Sequence, residues 1–265
     1  MVSAGSSYFI QFTDTHLFAD PTETLWEVSP DARLDETVHA VAEIRGRPRF
    51  ILVTGDCSAD GSDASYGRLA EKLAIFSAPI YYLPGNHDDP ACLAKMLSSG
   101  SLNDNGKLTQ TFEDNGWRFV LLDSAIPNED GGELGIAQLA WLRRQLHDHA
   151  KTPTIIAVHH APMPVGSPWL DEMKLVDGPQ LIETIDAAPQ VRAVLFGHVH
   201  QIFETHRQQT LYASAPSTFF QFAPGSVDFA GDGANPGARI VELRDGGSFN
   251  SFVVRVNDSG KADIA

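Results

Sequence analysis

The chain has 265 residues, 43% of them hydrophobic, so it is long enough to bury a sizeable core. Its 19 Lys and Arg against 34 Asp and Glu give a formal charge of −15, which repels polyanions and argues against nucleic acid as a partner. No stretch approaches the roughly 18 uninterrupted apolar residues of a membrane span, and residues 1–9 carry no secretory signal, so we expect a cytoplasmic protein without a membrane partner.

Short apolar runs alternate with helical patterns along the first 200 residues. The runs that predict buried strands, rich in β-branched or aromatic residues, are 8–14, 50–56, 79–85, 119–124, 154–160 and 192–198. The helical patterns between them are one that begins at Ser29-Pro30 and ends at Gly46, and others over about 63–76, 90–97, 135–149 and 178–186. After residue 200, antiparallel strands are predicted at 202–206, 210–214, 238–243 and 252–256. This order predicts a single domain over 1–265 of the α/β class, with two sheets covered by helices.

Nearly every predicted strand ends in side chains that bind ligands. Carboxylate, amide and imidazole groups follow five of the strands, at Asp14, His16, Asp56, Asn86, His87, Asp88, His159, His160, His198 and His200. Because strand carboxyl ends gather along one edge of an α/β sheet, we expect these groups at one place. A lone Asp or His at a strand end is commonly a turn residue, but five strands in register are not explained that way. Glycine precedes Asp56, Asn86 and His198, where it lets the backbone turn sharply.

The mixture of imidazoles and hard oxygen ligands, without thiolate, suits Mn, Fe, Zn or Co. Seven side chains exceed the needs of one ion and predict two ions that share a bridging carboxylate: Asp14, His16, Asp56, Asn86, His159, His198 and His200. Paired ions about 3.5–4 Å apart clamp the attacking and leaving oxygens of a phosphoryl displacement. Two divalent ions, two carboxylates and one hydroxide leave a charge of about +1, which fits a phosphodiester monoanion.

This order of residues resembles the calcineurin-like metallophosphoesterases, whose pattern D-x-H, G-D, G-N-H-D/E, H and G-H-x-H runs here from Asp14 to His200. The resemblance implies an α-β-β-α fold, a double-sheet sandwich flanked by helices. It implies that Asp56 bridges the two ions. It divides the other ligands into two sets, which are Asp14, His16 and His200 on one ion and Asn86, His159 and His198 on the other. It leaves His87 outside the metal shell, in contact with the phosphate or the leaving group.

A narrower resemblance is to the bacterial class III 3′,5′-cyclic-AMP phosphodiesterases, and it covers about residues 8–243. It is carried by TDTHLF, TGDCSADGSDASY, LPGNHDD, HHAPMPVGSPWLD, GHVHQ and APSTFFQFAPGSVDF. It implies two divalent or mixed-valence transition metal ions, Fe, Mn or Zn, and cyclic AMP as the substrate. Two positions depart from the pattern. Cys57 replaces an apolar residue, and Ala161 replaces a third His often found after His159-His160, which bears on substrate preference.

The expected reaction is hydrolysis of 3′,5′-cyclic AMP to AMP by a metal-bridging hydroxide. Four residues are predicted to contact the substrate, namely Asn86, His87, His160 and His198. Asn86 and His87 are the predicted catalytic residues, because they hold the phosphate in line and a protonated His87 is the candidate acid for the departing alkoxide. For His160 two roles stay open, a supporting one and a phosphate contact. Asp60 or Asp63 is a candidate to orient His87.

Long loops at the same edge are expected to form the substrate pocket. They carry aromatic side chains that either stack on a nucleobase or pack the loops: Trp26, Trp169, Phe219, Phe220 and Phe222. Alternative substrates are glycerophosphodiesters, 2′,3′-cyclic nucleotides and phosphomonoesters, because a metal pair recognises phosphate. A further alternative is a non-catalytic metal-binding module. A metallo-β-lactamase-type hydrolase is excluded because the sequence lacks H-x-H-x-D-H. The oligomeric state is not predicted.

Overall fold

The computed structural model describes residues 7–44, 46–96 and 102–265. Strands in these ranges are β1 (Ser7–Phe12), β2 (Ile51–Thr54), β3 (Ile80–Leu83), β4 (Gln110–Asp114), β5 (Trp117–Leu121), β6 (Thr154–Ala157), β7 (Val191–Phe196), β8 (Glu204–Arg207), β9 (Thr210–Ser214), β10 (Gln221–Phe222), β11 (Gly231–Asp232), β12 (Gly237–Leu243), β13 (Phe249–Val256) and β14 (Ala262–Ile264). The α-helices are α1 (Pro30–Ala42), α2 (Asp63–Leu73), α3 (Pro90–Met96), α4 (Gly135–Asp148), α5 (Pro168–Glu172) and α6 (Gly178–Asp186).

Two six-stranded sheets contain most of the described strands. The first has the order β14-β13-β12-β1-β2-β3, with β1, β2 and β3 parallel and β12 antiparallel to β1. The second has the order β4-β5-β6-β7-β9-β8, with β5, β6, β7 and β9 parallel. Helical crossovers join β1 to β2, β2 to β3, β5 to β6 and β6 to β7, so the polar residues that follow these strands emerge at one end of each sheet.

Three apolar clusters show that the sheets stack face to face, with helices outside. Ile10 of β1 packs with residues of α1 and α2, whereas Phe9 points the other way and packs with Phe119 and Ile155 of the second sheet. The outer face of the second sheet packs on α4 and α6, where Leu142 and Leu181 are buried. This two-residue alternation is what a strand buried on both faces requires. The predicted double-sheet α/β fold is confirmed.

The predicted strands before residue 200 are confirmed with small shifts in their ends, and helix 178–186 matches α6 exactly in its bounds. Ser29 caps α1 by accepting a hydrogen bond from the backbone N–H of Ala32, as its position before Pro30 indicates. The prediction that Gly46 ends this helix is wrong, because α1 ends at Ala42. Two predictions concern residues that the structure does not describe. One is Leu97 as the end of a helix, and the other is the expectation of no secretory signal, which in part concerns residues 1–6.

The predicted antiparallel strands after residue 200 are present, with one correction. β9 pairs antiparallel with β8 but parallel with β7, because a loop after β7 carries the chain through β8 at the sheet edge first. The sequence patterns missed four short strands, β4, β10, β11 and β14, and the five-residue helix α5. No helix within the described ranges is long and apolar enough to cross a membrane.

Candidate metal centre

The seven predicted metal ligands lie together where the two sheets meet. Those from the first sheet follow β1, β2 and β3, and are Asp14, His16, Asp56 and Asn86. Those from the second sheet follow β6 and β7, and are His159, His198 and His200. Hydrogen bonds tie the sheets at this point: the side-chain amide of Gln11 donates to the Phe196 carbonyl at 3.1 Å, and the Thr54 carbonyl lies 2.8 Å from Nδ1 of His159.

The first group of side chains surrounds Asp14. Nε2 of His200 lies 3.4 Å from Oδ1 of Asp14 and 3.3 Å from Nε2 of His16. Potential ligand atoms of these three residues all lie within 4.8 Å of one another, and all three residues are buried. Two imidazole nitrogens that face each other beside a carboxylate form a set that one cation satisfies.

The second group surrounds the amide oxygen of Asn86. This oxygen lies 3.2 Å from Nε2 of His159 and 3.2 Å from Nδ1 of His198. Asp56 lies between the two groups, with Oδ2 at 3.5 Å from Nε2 of His16 and at 3.3 Å from Nε2 of His159. Its position next to both groups is the one that a bridging carboxylate needs.

The hydrogen bonds around the histidines fit metal ligands. The Nδ1 atoms of His159 and His200 lie 2.8 Å and 2.9 Å from the backbone carbonyls of Thr54 and Phe220. Because a carbonyl accepts only from N–H, each ring is held with the lone pair of Nε2 directed at the centre, as metal-binding histidines are held. Nδ1 of His16 and Nε2 of His198 are buried without a hydrogen-bond partner in the described structure. The donor set therefore fits two cations.

Burial and charge keep most of these groups in the form that binds metal. Burial lowers the pKa of His16 and of His198 to about 3, which leaves both rings neutral. Burial opposes ionisation of Asp56, but attraction to His159, His16 and His87 outweighs it and holds the pKa of this carboxyl well below its usual range. Burial also lowers the pKa of His159, yet the Asp56 carboxylate raises it to about 9, so metal binding displaces a proton from this ring.

Backbone conformation at the centre is unusual. Five of the predicted ligands have positive φ angles between 45° and 68°, namely Asp14, His16, Asp56, His198 and His200. The left-handed region is unfavourable for residues with a Cβ, and such strain concentrates at functional sites. Two of the glycines that precede predicted ligands have no room for a side chain: a Cβ on Gly85 would lie 2.1 Å from Oδ1 of Asp56, and one on Gly197 would lie 2.0 Å from Oγ1 of Thr13.

Asp88 joins the loops that follow β2 and β3, a role that the sequence reasoning missed. Its buried carboxylate accepts backbone N–H groups of Cys57, Ser58 and Gly85 at 2.9–3.1 Å and the hydroxyl of Tyr66 at 3.1 Å. The loop that carries Asp56 is thereby fixed against the loop that carries Asn86 and His87. The only sequence signal for this residue was its place in the G-N-H-D pattern.

His87 and His160 lie next to the ligand groups in different surroundings. His87 is exposed at the rim, and its ring centroid lies 4.8 Å from that of His16. His160 is fully buried, with Nδ1 at 2.8 Å from the hydroxyl of Ser124 and Nε2 at 3.1 Å from the carbonyl of Asp130. Both ring nitrogens of His160 are thus engaged by the protein, which favours the supporting role over the phosphate contact.

The expectation that Asp60 or Asp63 orients His87 is not met by the described contacts. Asp60 accepts the backbone N–H groups of Ala19 and Ser62, and Asp63 accepts the Cys92 thiol and the Lys95 ammonium. No contact between either carboxylate and His87 occurs among the described residues, because the start of α2 uses Asp60 as a turn acceptor.

Among the cavities lined by the described residues, two open onto the centre, and Asn86 and His87 line both. The larger one is about 670 Å³ and polar, with Asp60, Lys107 and Asn128 along its walls. The smaller one is about 180 Å³ and is lined by ligands on one side and by apolar side chains on the other. We call the smaller cavity the aromatic alcove; its apolar wall consists of Trp26, Trp169, Leu170, Met173, Phe222 and Phe229.

Comparison with known proteins places this geometry in context. Residues 7–202 match the sequence model of a family described as calcineurin-like phosphoesterase. The chain is 36% identical over 253 residues to the 3′,5′-cyclic adenosine monophosphate phosphodiesterase CpdA of Pseudomonas aeruginosa, with 96% of this chain and 91% of that protein covered. It is 35% identical over 246 residues to a 3′,5′-cyclic-nucleotide phosphodiesterase of Nostoc, with 93% and 91% covered. A dimetal phosphatase structure from Danio rerio aligns with a TM-score of 0.69 at 16% identity, covering 95% of this chain and 99% of that one, which supports the fold alone.

Proposed function

We infer the function from one premise: this chain belongs to the calcineurin-like phosphoesterase family. It is a metal-dependent phosphodiesterase that hydrolyses 3′,5′-cyclic AMP to AMP. The relatives that support this substrate are aligned over more than nine-tenths of both chains, so their similarity extends beyond the metal-binding loops. The observation that carries the proposal is the pair of ligand groups around Asp14 and Asn86, joined by Asp56.

The residues divide into two ligand sets with one shared member. Asp14, His16 and His200 would hold one ion, Asn86, His159 and His198 would hold the other, and Asp56 would be shared between them. When bound, the ions supply an activated water as the nucleophile and positive charge for the phosphoryl oxygens. Iron, manganese and zinc are the ions that this mixture of imidazole, amide and carboxylate groups suits.

Asn86, His87 and His198 are the residues that act on the substrate. The side-chain amide of Asn86 keeps N–H groups that its oxygen contacts do not use, and these N–H groups bind a phosphoryl oxygen. His87 is exposed next to His16, where it can reach the leaving oxygen. As the imidazolium, which carries a proton on both ring nitrogens, it donates one proton to the ribose 3′-oxygen as the P–O bond breaks and becomes neutral imidazole. Nε2 of His198, which lacks a protein partner in the described structure, is the further contact for the phosphate.

His160 acts indirectly. Its bonds to Ser124 and to the Asp130 carbonyl hold the loop 124–132 against the strand end that carries His159. A Cβ on Gly132 would lie 2.3 Å from Nδ1 of His160, so this loop packs on the imidazole without space to spare. This role needs no substrate contact.

One observation favours a second candidate function. The polar cavity next to Asn86 and His87, at about 670 Å³, is open to acyclic groups, so glycerophosphodiesters are the alternative substrates. The remaining proposals rest on the sequence alone: one domain over residues 1–265, a cytoplasmic location, and a small phosphodiester as the partner instead of nucleic acid.

A substrate panel on protein of defined metal content tests the function. The panel contains cyclic AMP, cyclic GMP, 2′,3′-cyclic AMP, glycerophosphocholine and a phosphomonoester, with product identified by chromatography. We expect AMP from cyclic AMP at the highest kcat/KM. Cleavage of glycerophosphocholine with cyclic AMP untouched would favour the second candidate. Metal binding without turnover of any compound would indicate a non-catalytic module.

A further inference from the structure

The aromatic alcove lies directly beside the ligand groups and is mainly apolar. The apolar wall defined above lines most of it, and polar residues line the side of the metal centre, namely His16, Asp56, Asn86, His87, Asp130, His198 and His200. Its volume of about 180 Å³ is below the roughly 300–1,000 Å³ of pockets that hold whole drug-sized ligands. It therefore suits one flat part of a larger ligand whose other part lies outside it.

The loop that carries Trp26 has backbone φ angles that are unfavourable for residues with a side chain. Trp26 and Glu27 have φ angles of 50° and 64°, and paired backbone hydrogen bonds of 2.9 Å and 3.0 Å join Leu25 and Val28 around them. Two central residues with positive φ are typical of a tight turn that strongly prefers Asn-Gly. A Trp-Glu pair in this turn is strained, and such strain persists where function requires the side chain in that position.

Packing separates the structural aromatics from the accessible ones. Phe219 and Phe222 are 2% and 6% exposed and pack against the ligands; the ring of Phe222 is stacked on that of His200 at 4.2 Å. Trp26 is 40% exposed and Phe229 is 49% exposed, with ring centroids 5.2 Å apart. Trp26 is also parallel to Phe219, at 5.9 Å and 8°, so buried aromatics hold its ring while much of its surface stays open.

We propose that the aromatic alcove is the nucleobase subsite and that Trp26 is the residue on which the base stacks. The ring centroid of Trp26 lies 6.5 Å from that of His200, so a ligand with its phosphate at the centre places an attached base within reach of the indole. Phe229 completes the contact from the loop between β10 and β11. The proposal rests on the proposed function, because it assumes a nucleotide at the centre.

Binding of products tests the subsite apart from catalysis. Metal-loaded protein is titrated calorimetrically with AMP and with ribose 5-phosphate, which carries the same phosphate without a base. We expect AMP to bind about 5- to 150-fold more tightly, the range that one base–aromatic stack supplies. Trp26→Ala removes this advantage and leaves ribose 5-phosphate binding unchanged, whereas Trp26→Phe keeps part of it. Trp141→Ala, on α4 away from the alcove, is the matched control and keeps all of it.

The possible outcomes distinguish failure of the nucleobase subsite from failure of the proposed reaction. Should Trp26→Ala disturb the loop, ribose 5-phosphate binding and metal content fall together, and Phe229→Ala then serves as the second variant with the same expected loss. An AMP advantage that survives both substitutions overturns the subsite even if cyclic AMP is hydrolysed. An advantage that depends on Trp26 in a protein that leaves cyclic AMP intact supports the subsite and removes the proposed reaction.

Discussion

The backbone N–H of His87 donates a 3.0 Å hydrogen bond to Oδ1 of Asp56. The other oxygen of this carboxylate faces His16 and His159, one from each ligand group. The residue proposed to bridge the ions is therefore fixed by the same peptide that carries the proposed acid. Asp56, Asn86 and His87 lie close together in the structure, but because their proposed roles differ, we expect substitutions at the three positions to have different effects.

Asp56→Ala is expected to remove more metal than any other single ligand substitution, because it deletes the shared ligand and the negative charge between two cations. Wild-type protein should carry about two transition-metal ions per chain, and the variant well under one, as measured by plasma mass spectrometry. Asp148→Ala, an exposed residue of α4, should keep the wild-type content. Two ions retained by Asp56→Ala would rule out the bridging role.

Asn86→Ala and His87→Ala are expected to differ in metal content and in substrate dependence. Asn86→Ala should lose metal and depress activity on all substrates alike. His87→Ala should keep its metal and lose about 10²–10⁴-fold in kcat/KM on cyclic AMP, because a ribose alkoxide needs a proton to leave. Its loss on bis(p-nitrophenyl) phosphate should be much smaller, since p-nitrophenolate leaves unprotonated. Equal losses on both diesters, with metal retained, would show that His87 only positions the phosphate.

Gly197→Ala is expected to damage the centre because the new methyl group would lie 2.0 Å from Oγ1 of Thr13 and 2.9 Å from Oδ2 of Asp14. Overpacking of this kind costs about 1–3 kcal/mol and should displace Asp14 and His198, lowering metal content. Gly67→Ala is the matched control, because a methyl group there meets nothing within 4 Å and replaces glycine inside α2. Urea denaturation should show the control to be more stable by about 0.5–1 kcal/mol.

Asp88→Asn is expected to lower the free energy of unfolding by about 2–4 kcal/mol, because Asp88 accepts from four donors and either orientation of the new amide would turn its N–H₂ toward at least one backbone N–H among them. Tyr66→Phe removes one of those donors and leaves the backbone N–H of Asp89 without its acceptor, at a cost of about 1–2 kcal/mol. Urea denaturation of chelator-treated protein measures both without a contribution from metal. A stability of Asp88→Asn equal to that of the wild type would mean that the carboxylate does not clamp the two loops.

Chelation is expected to lower the Tm of the wild-type protein, because ions bound by ligands from both sheets stabilise only the folded state. Addition of Mn²⁺ should restore the Tm. The Asp56→Ala variant provides the comparison, since a protein that has already lost its ions should respond little to a chelator. Scanning calorimetry of both proteins, with and without chelator, measures the difference. If chelator changed the Tm of both proteins by the same amount, the proposal that bound metal ions link the two sheets would be contradicted.

The sequence placed the seven predicted ligands close together because parallel strands bring their carboxyl ends to one edge, and each of these residues follows the end of such a strand. It missed β4 because this edge strand alternates exposed and half-buried residues and has little apolar content. It missed α5 because five residues are too few to show a helical period.

The sequence also could not show which aromatic side chains pack the loops and which face a cavity. Whether Trp26 packs a loop or faces a cavity depends on contacts with Phe219 and Phe229, which are about two hundred residues away along the chain. The hydrogen bonds of His160 and Asp88 likewise depend on loops from separate parts of the fold. Pattern and motif locate such groups, but tertiary packing decides their roles.

The division of the ligands between two sheets has a consequence for the order of synthesis. A ribosome that has translated Asn86 must add the whole of α4 and α6 before His198 and His200 exist, and β12, the antiparallel neighbour of β1, begins only at Gly237. At a translation rate of roughly 5–20 residues per second, the time between synthesis of Asn86 and synthesis of His200 is on the order of ten seconds. During this interval the nascent chain has two carboxylates, one imidazole and one amide of the predicted set, without their partners from the second sheet. Completion of the proposed two-metal centre is thus a late event that follows translation of the second half of the protein.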